Sequence, residues 1–127
     1  LKKCKKQWQK RTNLTLVQCP AEDLPFADNT FDMVFHIGGI NFFNDKARAV
    51  QEMIRVAKIG SRLLIADETA DLVEQQYKKN EFSKSYFEGK TVNLTDIEAC
   101  IPSSVEEKQT QLLWDNKFYC ITFKKNR

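Results

Sequence analysis

Two short apolar runs, each ending in a polar loop, constrain the fold of this chain more than any other feature. Leu14–Val17 opens a first strand that extends to Cys19, and the proline-punctuated stretch 20–26 follows it. Phe31–Phe35 opens a second strand, which ends in His36 and the pair Gly38-Gly39. Apolar runs of this length are typical of buried β-strands. Buried strands whose carboxyl ends open into such loops describe the ligand edge of an open α/β sheet.

A helix and a third strand follow the second apolar run. Asn44 or Asp45 is placed to cap a helix that reaches about Lys58, and Gly60 is placed to stop it. The predicted inner stripe of this helix comprises Ala47, Val50, Ile54 and Ala57. Arg62–Ala66 then forms a third buried strand. The order strand, helix, strand predicts parallel pairing with a right-handed crossover.

Shorter helices are predicted on either side of this unit. Leu1–Gln9 forms a lysine-rich amphipathic helix, and Ala70–Lys79 forms a polar one. Thr95 is placed to cap a short helix that ends at Pro102. The basic residues of the first helix are interpreted as a solvated face rather than a nucleic-acid contact, because its apolar stripe already accounts for the pattern.

Two strands close the chain. Val105–Trp114 and Lys117–Phe123 are predicted to pair as a hairpin through a tight turn at Asp115-Asn116. The first of these strands is polar in its first half, which places the hairpin at a sheet edge. The whole pattern predicts an α/β fold that combines parallel strands with a C-terminal antiparallel hairpin.

Size and composition exclude several classes of protein. A chain of 127 residues with 42% hydrophobic and 29% charged residues is one globular domain, and its net charge of +3 indicates no polyanionic partner. No apolar stretch is long enough to span a bilayer. Four cysteines without a C-x-x-C pair and a single histidine indicate no metal site. We therefore expect a cytoplasmic protein that binds neither nucleic acid nor membrane.

Two segments carry a resemblance to a known family. Residues 21–35, AEDLPFADNTFDMVF, resemble the segment A-E-x-L-P-F-x-D-x-S/T-F-D-x-V of class I S-adenosylmethionine-dependent methyltransferases, in particular their ubiquinone/menaquinone-methyltransferase-like domains. Residues 55–65, RVAKIGSRLLI, resemble R-V-L-K-P-G-G-x-L-x-I/V, with Ile59 for the proline and Ser61 for the second glycine. The resemblance covers most of residues 1–123.

The resemblance implies where a cofactor would lie. The loop after the first strand would face the adenine, with Ala21 offering backbone groups to the base. Pro20 stands where the family usually has an aspartate, so base recognition would be weaker or shifted onto Glu22. Glu22 is otherwise part of a solvated turn. The loop that carries His36, Ile37 and Gly38 would face the methionine part of S-adenosylmethionine and the methyl acceptor.

His36 is also a candidate general base, because the ordinary pKa of histidine lies near neutrality. The alternative is a packed or solvent-facing histidine at a strand end. The aromatic residues of the stretch 77–87 have two interpretations as well. In one interpretation they form a lid on the acceptor side, and in the other they pack in the core of a short helix. These aromatic residues are Tyr77, Phe82, Tyr86 and Phe87.

The family's glycine-rich loop and ribose-binding carboxylate have no counterpart here, since no G-x-G precedes the first helix. Residues 1–127 are therefore interpreted as a truncated methyltransferase-like domain with a partial Rossmann-like sheet, which binds S-adenosylmethionine weakly or not at all. Two functions stay open. The chain is part of a longer enzyme that methylates a small-molecule acceptor, or an inactive remnant that serves as a structural or interaction domain.

The missing strands also bear on assembly. By resemblance, two strands would separate Leu14–Cys19 from Phe31–His36 in a complete sheet. Unpaired strand edges are costly, so either the two strands pair directly or a second copy of the chain fills the gap. A direct crossover of about eleven residues is near the lower limit for parallel strands. We therefore predict a homodimer joined through exposed sheet edges.

Overall fold

The fold is built on a four-stranded sheet with the order β1-β2-β4-β3. The computed structural model describes residues 2–8, 10–77, 79–89 and 92–127, without the side chains of residues 86 and 87. The strands are β1 Phe31–Ile37, β2 Ala57–Glu68, β3 Glu106–Leu113 and β4 Phe118–Lys124. β1 and β2 run parallel, whereas β4 pairs antiparallel with both β2 and β3. The predicted α/β class, parallel unit and C-terminal hairpin are confirmed.

Short helices surround this sheet. They are α1 Lys2–Trp8, α2 Lys46–Val56, α3 Ala70–Leu72 (which continues as a π-helical turn Val73–Tyr77), α4 Glu81–Phe87 and α5 Leu94–Cys100. A 3-10 turn spans Ile40–Phe42. The ends of the predicted first helix, residues 1 and 9, lie outside the described residues. In the part of the chain that the structure describes, no helix is long and apolar enough to cross a bilayer.

The core lies between α2, α5 and one face of the sheet. Its fully buried side chains include Leu63, Ile65, Ile97, Tyr119, Ile121 and Phe123. Asp45 caps α2 as predicted, accepting a hydrogen bond from the Arg48 backbone amide at 2.9 Å. The predicted stripe is only partly right. Ala47 is exposed and Ile54 half-buried. The residues of α2 that face the sheet are Ala49, Val50, Met53 and Val56.

The end of α2 differs from the prediction. The helix ends at Val56, and β2 begins at the next residue. Gly60 therefore lies inside β2, with a φ of 77°. The pairing of β1 with β2 slips here, from Phe31 opposite Ala57 to Met33 opposite Arg62. Gly60 does not stop a helix; it allows the bulge that absorbs this slip, because its φ is one that other residues adopt only with strain.

The predicted strand Leu14–Cys19 is wrong. Residues 14–20 form no regular secondary structure, and the side chains of Leu14 and Val17 are 45% and 44% exposed. Among the described residues, no strand pairs with this segment. An apolar run becomes a strand only when a neighbour completes its backbone hydrogen bonds, so the composition of residues 14–19 was not sufficient.

The hairpin lies at the sheet edge as predicted, with β3 outermost. Its connection is longer than the predicted two-residue turn. Three successive residues, Trp114, Asp115 and Asn116, have left-handed φ angles of 51°, 55° and 61°. The Lys117 amide closes the loop by donating to the Leu113 carbonyl at 3.1 Å. The predicted cap of α5 is also displaced: Asn93 is the N-cap rather than Thr95.

Candidate functional site

The carboxyl ends of β1 and β2 meet at one edge of the sheet. The Gly38 amide donates to the Ala66 carbonyl at 2.9 Å, which extends the parallel pairing by one residue. Gly38 and Gly39 then turn the chain with φ angles of 76° and 87°, so that Ile40 enters the core. Glycine is needed for this turn, because the left-handed conformation strains residues that carry a Cβ.

His36 lies just before this turn, half-buried on the α2 side of the sheet. Its ring is 4.9 Å from the ring of Phe43. Its Nε2 atom is buried and has no hydrogen-bond partner among the described residues. Burial lowers the pKa of His36, and the negative charge of Asp67 opposes that shift in part. The imidazole is therefore neutral at physiological pH and has an unused polar atom.

A cavity of about 160 Å³ connects His36 to the loop before β1. Its walls are mostly apolar and come from the loop, β1, the segment after β1 and α2. The lining residues are Ala21, Leu24, Val34, Phe35, His36, Phe43, Ala49 and Met53. Two of the predicted cofactor-binding residues, Ala21 and His36, thus line the same cavity. Ile37 is not part of its lining and lies on the opposite face of the sheet, 64% exposed.

Glu22 fastens the loop to the start of α2. Its carboxylate accepts hydrogen bonds from the backbone amides of Asn44 at 2.9 Å and Asp45 at 3.2 Å. The Arg48 guanidinium donates to the Glu22 carbonyl at 3.2 Å. The amide of Asp45 contributes most to lowering the pKa of Glu22. Glu22 is thus an ordered part of the cavity wall, and its contact with a cofactor stays a prediction.

A second fastening joins the loop to the end of α2. Glu52 is buried, with 2% of its surface exposed, and accepts from the Leu24 amide at 2.9 Å. Arg55 donates to Glu52 through Nε and one terminal nitrogen, both at 2.8 Å. Arg55 also donates to the carbonyls of Leu24 and Phe26 and to the Asp28 carboxylate, at 2.9, 2.8 and 2.7 Å.

The sequence interpretation missed this pair, which we call the Glu52–Arg55 clamp. The available signal was the i, i+3 spacing of opposite charges on a helix whose other inner residues are apolar. The hydrogen bonds from Arg55 are the largest cause of a Glu52 pKa lowered to about 2. The clamp fixes the distance between Leu24 on the loop and Met53 on α2, and so fixes the width of the cavity.

Two acidic residues at the end of β2 complete the edge. Asp67 is 2% exposed, and its two carboxylate oxygens accept from the amides of Ile40 at 2.7 Å and Glu68 at 2.8 Å. Glu68 points to the opposite face and is half-buried. It accepts a hydrogen bond from the Tyr77 hydroxyl at 2.8 Å. Sequence reasoning gave neither residue a role, although their position at a strand end was visible.

The aromatic stretch is only partly described. Tyr77 is half-buried beside Glu68, and Phe82 is 97% exposed, so core packing of Phe82 is wrong. The side chains of Tyr86 and Phe87 lie outside the described part, and the lid stays a prediction. Among the residues that the structure describes, no cluster of three or more histidine, cysteine, aspartate or glutamate side chains could hold a metal ion.

The sequence matches known proteins over its first half. Residues 1–65 match the family model described as "Methyltransferase domain". The chain is also similar to a ubiquinone/menaquinone biosynthesis C-methyltransferase of Klebsiella pneumoniae, with 44% identity over 62 residues. That alignment covers 49% of this chain and 25% of the relative. The chain therefore matches about a quarter of the length of that enzyme.

The fold is shared with solved methyltransferases. A SAM-dependent methyltransferase from Thermotoga maritima, described as a possible histamine N-methyltransferase, has a TM-score of 0.71 at 21% identity, covering 98% of this chain and 70% of its own. A phosphoethanolamine N-methyltransferase of Haemonchus contortus in complex with S-adenosyl-L-methionine has a TM-score of 0.66 at 14% identity, covering 86% and 36%. These likenesses show the Rossmann-like methyltransferase fold, and with the family match over residues 1–65 they establish that the chain belongs to the class I S-adenosylmethionine-dependent methyltransferases.

Proposed function

We propose that this chain forms part of an enzyme that transfers a methyl group from S-adenosylmethionine to a small-molecule acceptor. The observation that carries the proposal is the cavity shared by Ala21 and His36. Its mostly apolar walls, with the His36 ring among them, suit a planar heterocyclic base. The names of the curated relatives, which refer to quinone biosynthesis, support a small acceptor rather than a macromolecule.

The chain's own residues have a limited task in this reaction. S-adenosylmethionine supplies an activated methyl group on a sulfonium, so alignment with the acceptor provides most of the rate. Ala21 offers backbone groups to the base, and the neutral ring of His36 forms part of the cavity wall. The turn at Gly38 brings bare backbone to the ligand edge. His36 serves the cofactor in this arrangement; its role as a general base is the alternative assignment.

Affinity for the cofactor is expected to be weak in the 127-residue chain. Pro20 offers no side-chain acceptor beside the base, and none of the four glycines of residues 1–127 lies in a G-x-G sequence. Titration with S-adenosylhomocysteine, followed by amide NMR, tests the proposal at weak affinity. We expect shifts at Ala21 and Gly38, reduced several-fold in affinity by His36→Ala. An unaltered spectrum at millimolar ligand would favour the inactive, structural alternative.

We also propose that the chain forms a homodimer through β1. The outer edge of β1 has no neighbouring strand in the described residues. Met33, Phe35 and Ile37 on that strand are 60%, 64% and 64% exposed. A long, apolar, unpaired edge favours addition of another strand. Antiparallel pairing of two β1 strands about a two-fold axis would complete the backbone hydrogen bonds of both copies.

Light scattering at micromolar concentration tests the dimer. We expect about twice the monomer mass of 14.8 kDa, and a return to monomer in Phe35→Lys, because charge on an edge strand opposes pairing. Phe82→Lys is the matched control, since Phe82 is an exposed aromatic on α4 rather than on β1. A wild-type chain that stays monomeric at every concentration would rule the dimer out.

A further inference from the structure

The first part of the chain leaves apolar side chains uncovered. Among the described residues, α1 and the irregular stretch 10–20 contribute no side chain to the core. Trp8 is 41% exposed, and Leu14 and Val17 are 45% and 44% exposed. The basic residues of α1 were interpreted as a solvated face because an apolar stripe accounted for the pattern. The structure contradicts this reason, since the stripe does not pack in the core.

The same part of the chain carries an excess of positive charge. Residues 1–21 contain six basic residues and no acidic one, whereas residues 22–127 contain 14 basic and 17 acidic residues. The first part therefore has a charge of +6 and the rest a charge of −3. Within the described residues, no carboxylate forms an ion pair with the basic side chains of the first part, which are Lys2, Lys3, Lys5, Lys6, Lys10 and Arg11. Such a surface attracts an anionic partner.

An open cavity of about 260 Å³ brings the apolar and basic groups together. It lies between α1 and the stretch that follows, and its lining residues are Lys5, Trp8, Arg11, Leu14 and Leu16. The Arg11 guanidinium lies 5.8 Å from the centroid of the Trp8 ring, within cation–π distance. The Arg11 amide donates to the Trp8 carbonyl at 2.9 Å and closes a turn after the helix. An aromatic ring, two aliphatic side chains and two cations thus surround one opening.

The aliphatic side chains distinguish between anionic partners. A single-stranded nucleic acid stacks its bases on aromatic rings, but residues 1–21 contain one aromatic residue, and Leu14 and Val17 would stay uncovered. A bilayer surface offers phosphates to basic side chains and the acyl boundary to apolar ones, and tryptophan is enriched at that boundary. An anionic bilayer therefore covers both kinds of group that this surface presents.

We propose that α1 and the stretch 10–20 form a docking surface for anionic bilayers, in which Trp8, Leu14 and Val17 enter the headgroup layer. The basic side chains contact the lipid phosphates, and the negative charge of residues 22–127 keeps the rest of the molecule away from them. This replaces the expectation, drawn from the sequence, that the chain contacts no membrane. The proposal is independent of methyl transfer, because the surface shares no residue with the His36 cavity.

Co-sedimentation of the 127-residue chain with vesicles tests the surface. Vesicles of equal parts phosphatidylglycerol and phosphatidylcholine should bind at least about tenfold more tightly than phosphatidylcholine alone, and salt should weaken the binding. Lys5→Gln combined with Arg11→Gln should lower the affinity by more than about tenfold, since each cation near such a surface contributes roughly fivefold. Lys84→Gln combined with Lys108→Gln, at exposed positions on α4 and β3, removes the same charge and is the control.

The fluorescence of Trp8 tests whether the apolar groups leave water. The chain has two tryptophans, so Trp114→Phe makes Trp8 the single reporter. Its emission should shift to the blue with the anionic vesicles and stay unchanged with the neutral ones. The circular dichroism spectra of all variants should match that of the wild type, because Lys5 and Arg11 are exposed.

Each outcome decides. Salt-dependent binding that is lost in the Lys5→Gln, Arg11→Gln variant and kept in the control supports the surface. Equal losses in both double variants overturn it, because net charge alone would then explain the binding. An unshifted Trp8 emission overturns it as well. Tighter binding to a polyuridylate oligonucleotide than to the anionic vesicles would assign the surface to nucleic acid instead.

Discussion

Two irregular segments flank the carboxyl edge of β1 and β2, and they are held in opposite ways. The loop 21–30 lies along α2 and is fastened by Glu22 at the start of the helix and by the Glu52–Arg55 clamp at its end. The contacts described for the segment 70–89 are of another kind. Tyr77 bonds to Glu68 at 2.8 Å, and the Ser83 hydroxyl donates to the Tyr77 carbonyl at 2.6 Å.

The two segments differ in how firmly their backbones are held. Charged groups hold the backbone of the loop, and hydrogen bonds to charged groups are the stronger kind. The loop therefore forms a fixed wall of the His36 cavity. The contacts described for the segment 70–89 are hydrogen bonds within the segment and one phenol on a carboxylate, so we expect it to open at lower free energy than the loop. The loop thus forms one wall of the His36 cavity, whereas the segment 70–89 contacts the sheet beside Glu68.

The largest loss of stability is expected when Arg55, which holds the loop 21–30 against α2, is removed. Arg55→Ala removes both side-chain hydrogen bonds to the buried Glu52 carboxylate and leaves it, among the described residues, only the longer ion pair with Arg48 at 3.6 Å. It also frees the carbonyls of Leu24 and Phe26. Loss of one partner of a buried pair costs about 3–5 kcal/mol of unfolding free energy. Urea unfolding measures it. Arg62→Ala, which breaks an exposed pair with Glu107, is the control and should cost under about 1 kcal/mol. Equal losses in both variants would refute the clamp.

The second-largest effect is expected from acid, which should lower the stability that Glu52 gives to the loop 21–30. The pKa of Glu52 is about 2 in the folded protein and 4.5 ordinarily, so the unfolded state binds the proton more readily. The stability contributed by Glu52 is complete above about pH 4.5 and is lost as pH falls towards 2. The shift corresponds to roughly 3 kcal/mol. Between pH 7 and 2.5, the unfolding free energy should fall less with decreasing pH in Glu52→Gln than in the wild type. The same pH dependence in both proteins would contradict this assignment.

A smaller effect is expected on the other segment. Tyr77→Phe removes the hydroxyl that Glu68 accepts, which costs about 1 kcal/mol or less of unfolding free energy. Hydrogen exchange should become faster in residues 70–89 and stay unchanged in residues 21–28. Faster exchange in both segments would mean that they open together, and the division into a firmly held loop and a more easily opened segment would fail.

The smallest change in unfolding free energy is expected for Phe82, in the segment 70–89. Phe82 is 97% exposed on α4. Phe82→Ala should change the unfolding free energy by no more than about 0.5 kcal/mol, as surface substitutions do. Thermal unfolding followed by circular dichroism is sufficient to measure it. A loss of 2 kcal/mol or more would show that Phe82 is packed in solution and that segment 70–89 is less open than described.

The elements that could be predicted from the sequence are those that pack against elements close to them in the chain. β1, α2 and β2 follow each other, so an apolar run, a cap at Asp45 and a second run define the unit together. The run at Leu14–Val17 is also mostly apolar, but no neighbouring strand is described beside it, and composition does not reveal that. Gly60 was misplaced because a glycine after a helix signals either a stop or a bulge.

The site was less accessible to sequence reasoning. Ala21 and His36 meet only because the intervening loop runs along α2, and that course depends on hydrogen bonds from Arg55 to backbone carbonyls. A side chain that binds backbone leaves no pattern in the residues it contacts. The burial of Glu52 could not be predicted for a related reason, because a charge on the inner face of a helix is stable only when its partner is in place.

The position of β4 between β2 and β3 has a consequence for folding. Val34 and Leu63 pair across roughly thirty residues, whereas Leu63 and Phe123 pair across roughly sixty. Closing the longer loop costs more chain entropy, so β1, α2 and β2 should assemble first and β4 should dock late. Until then the backbone donors and acceptors along the second edge of β2 are unpaired. The slow step of folding is therefore also the step at which the chain is most exposed to aggregation.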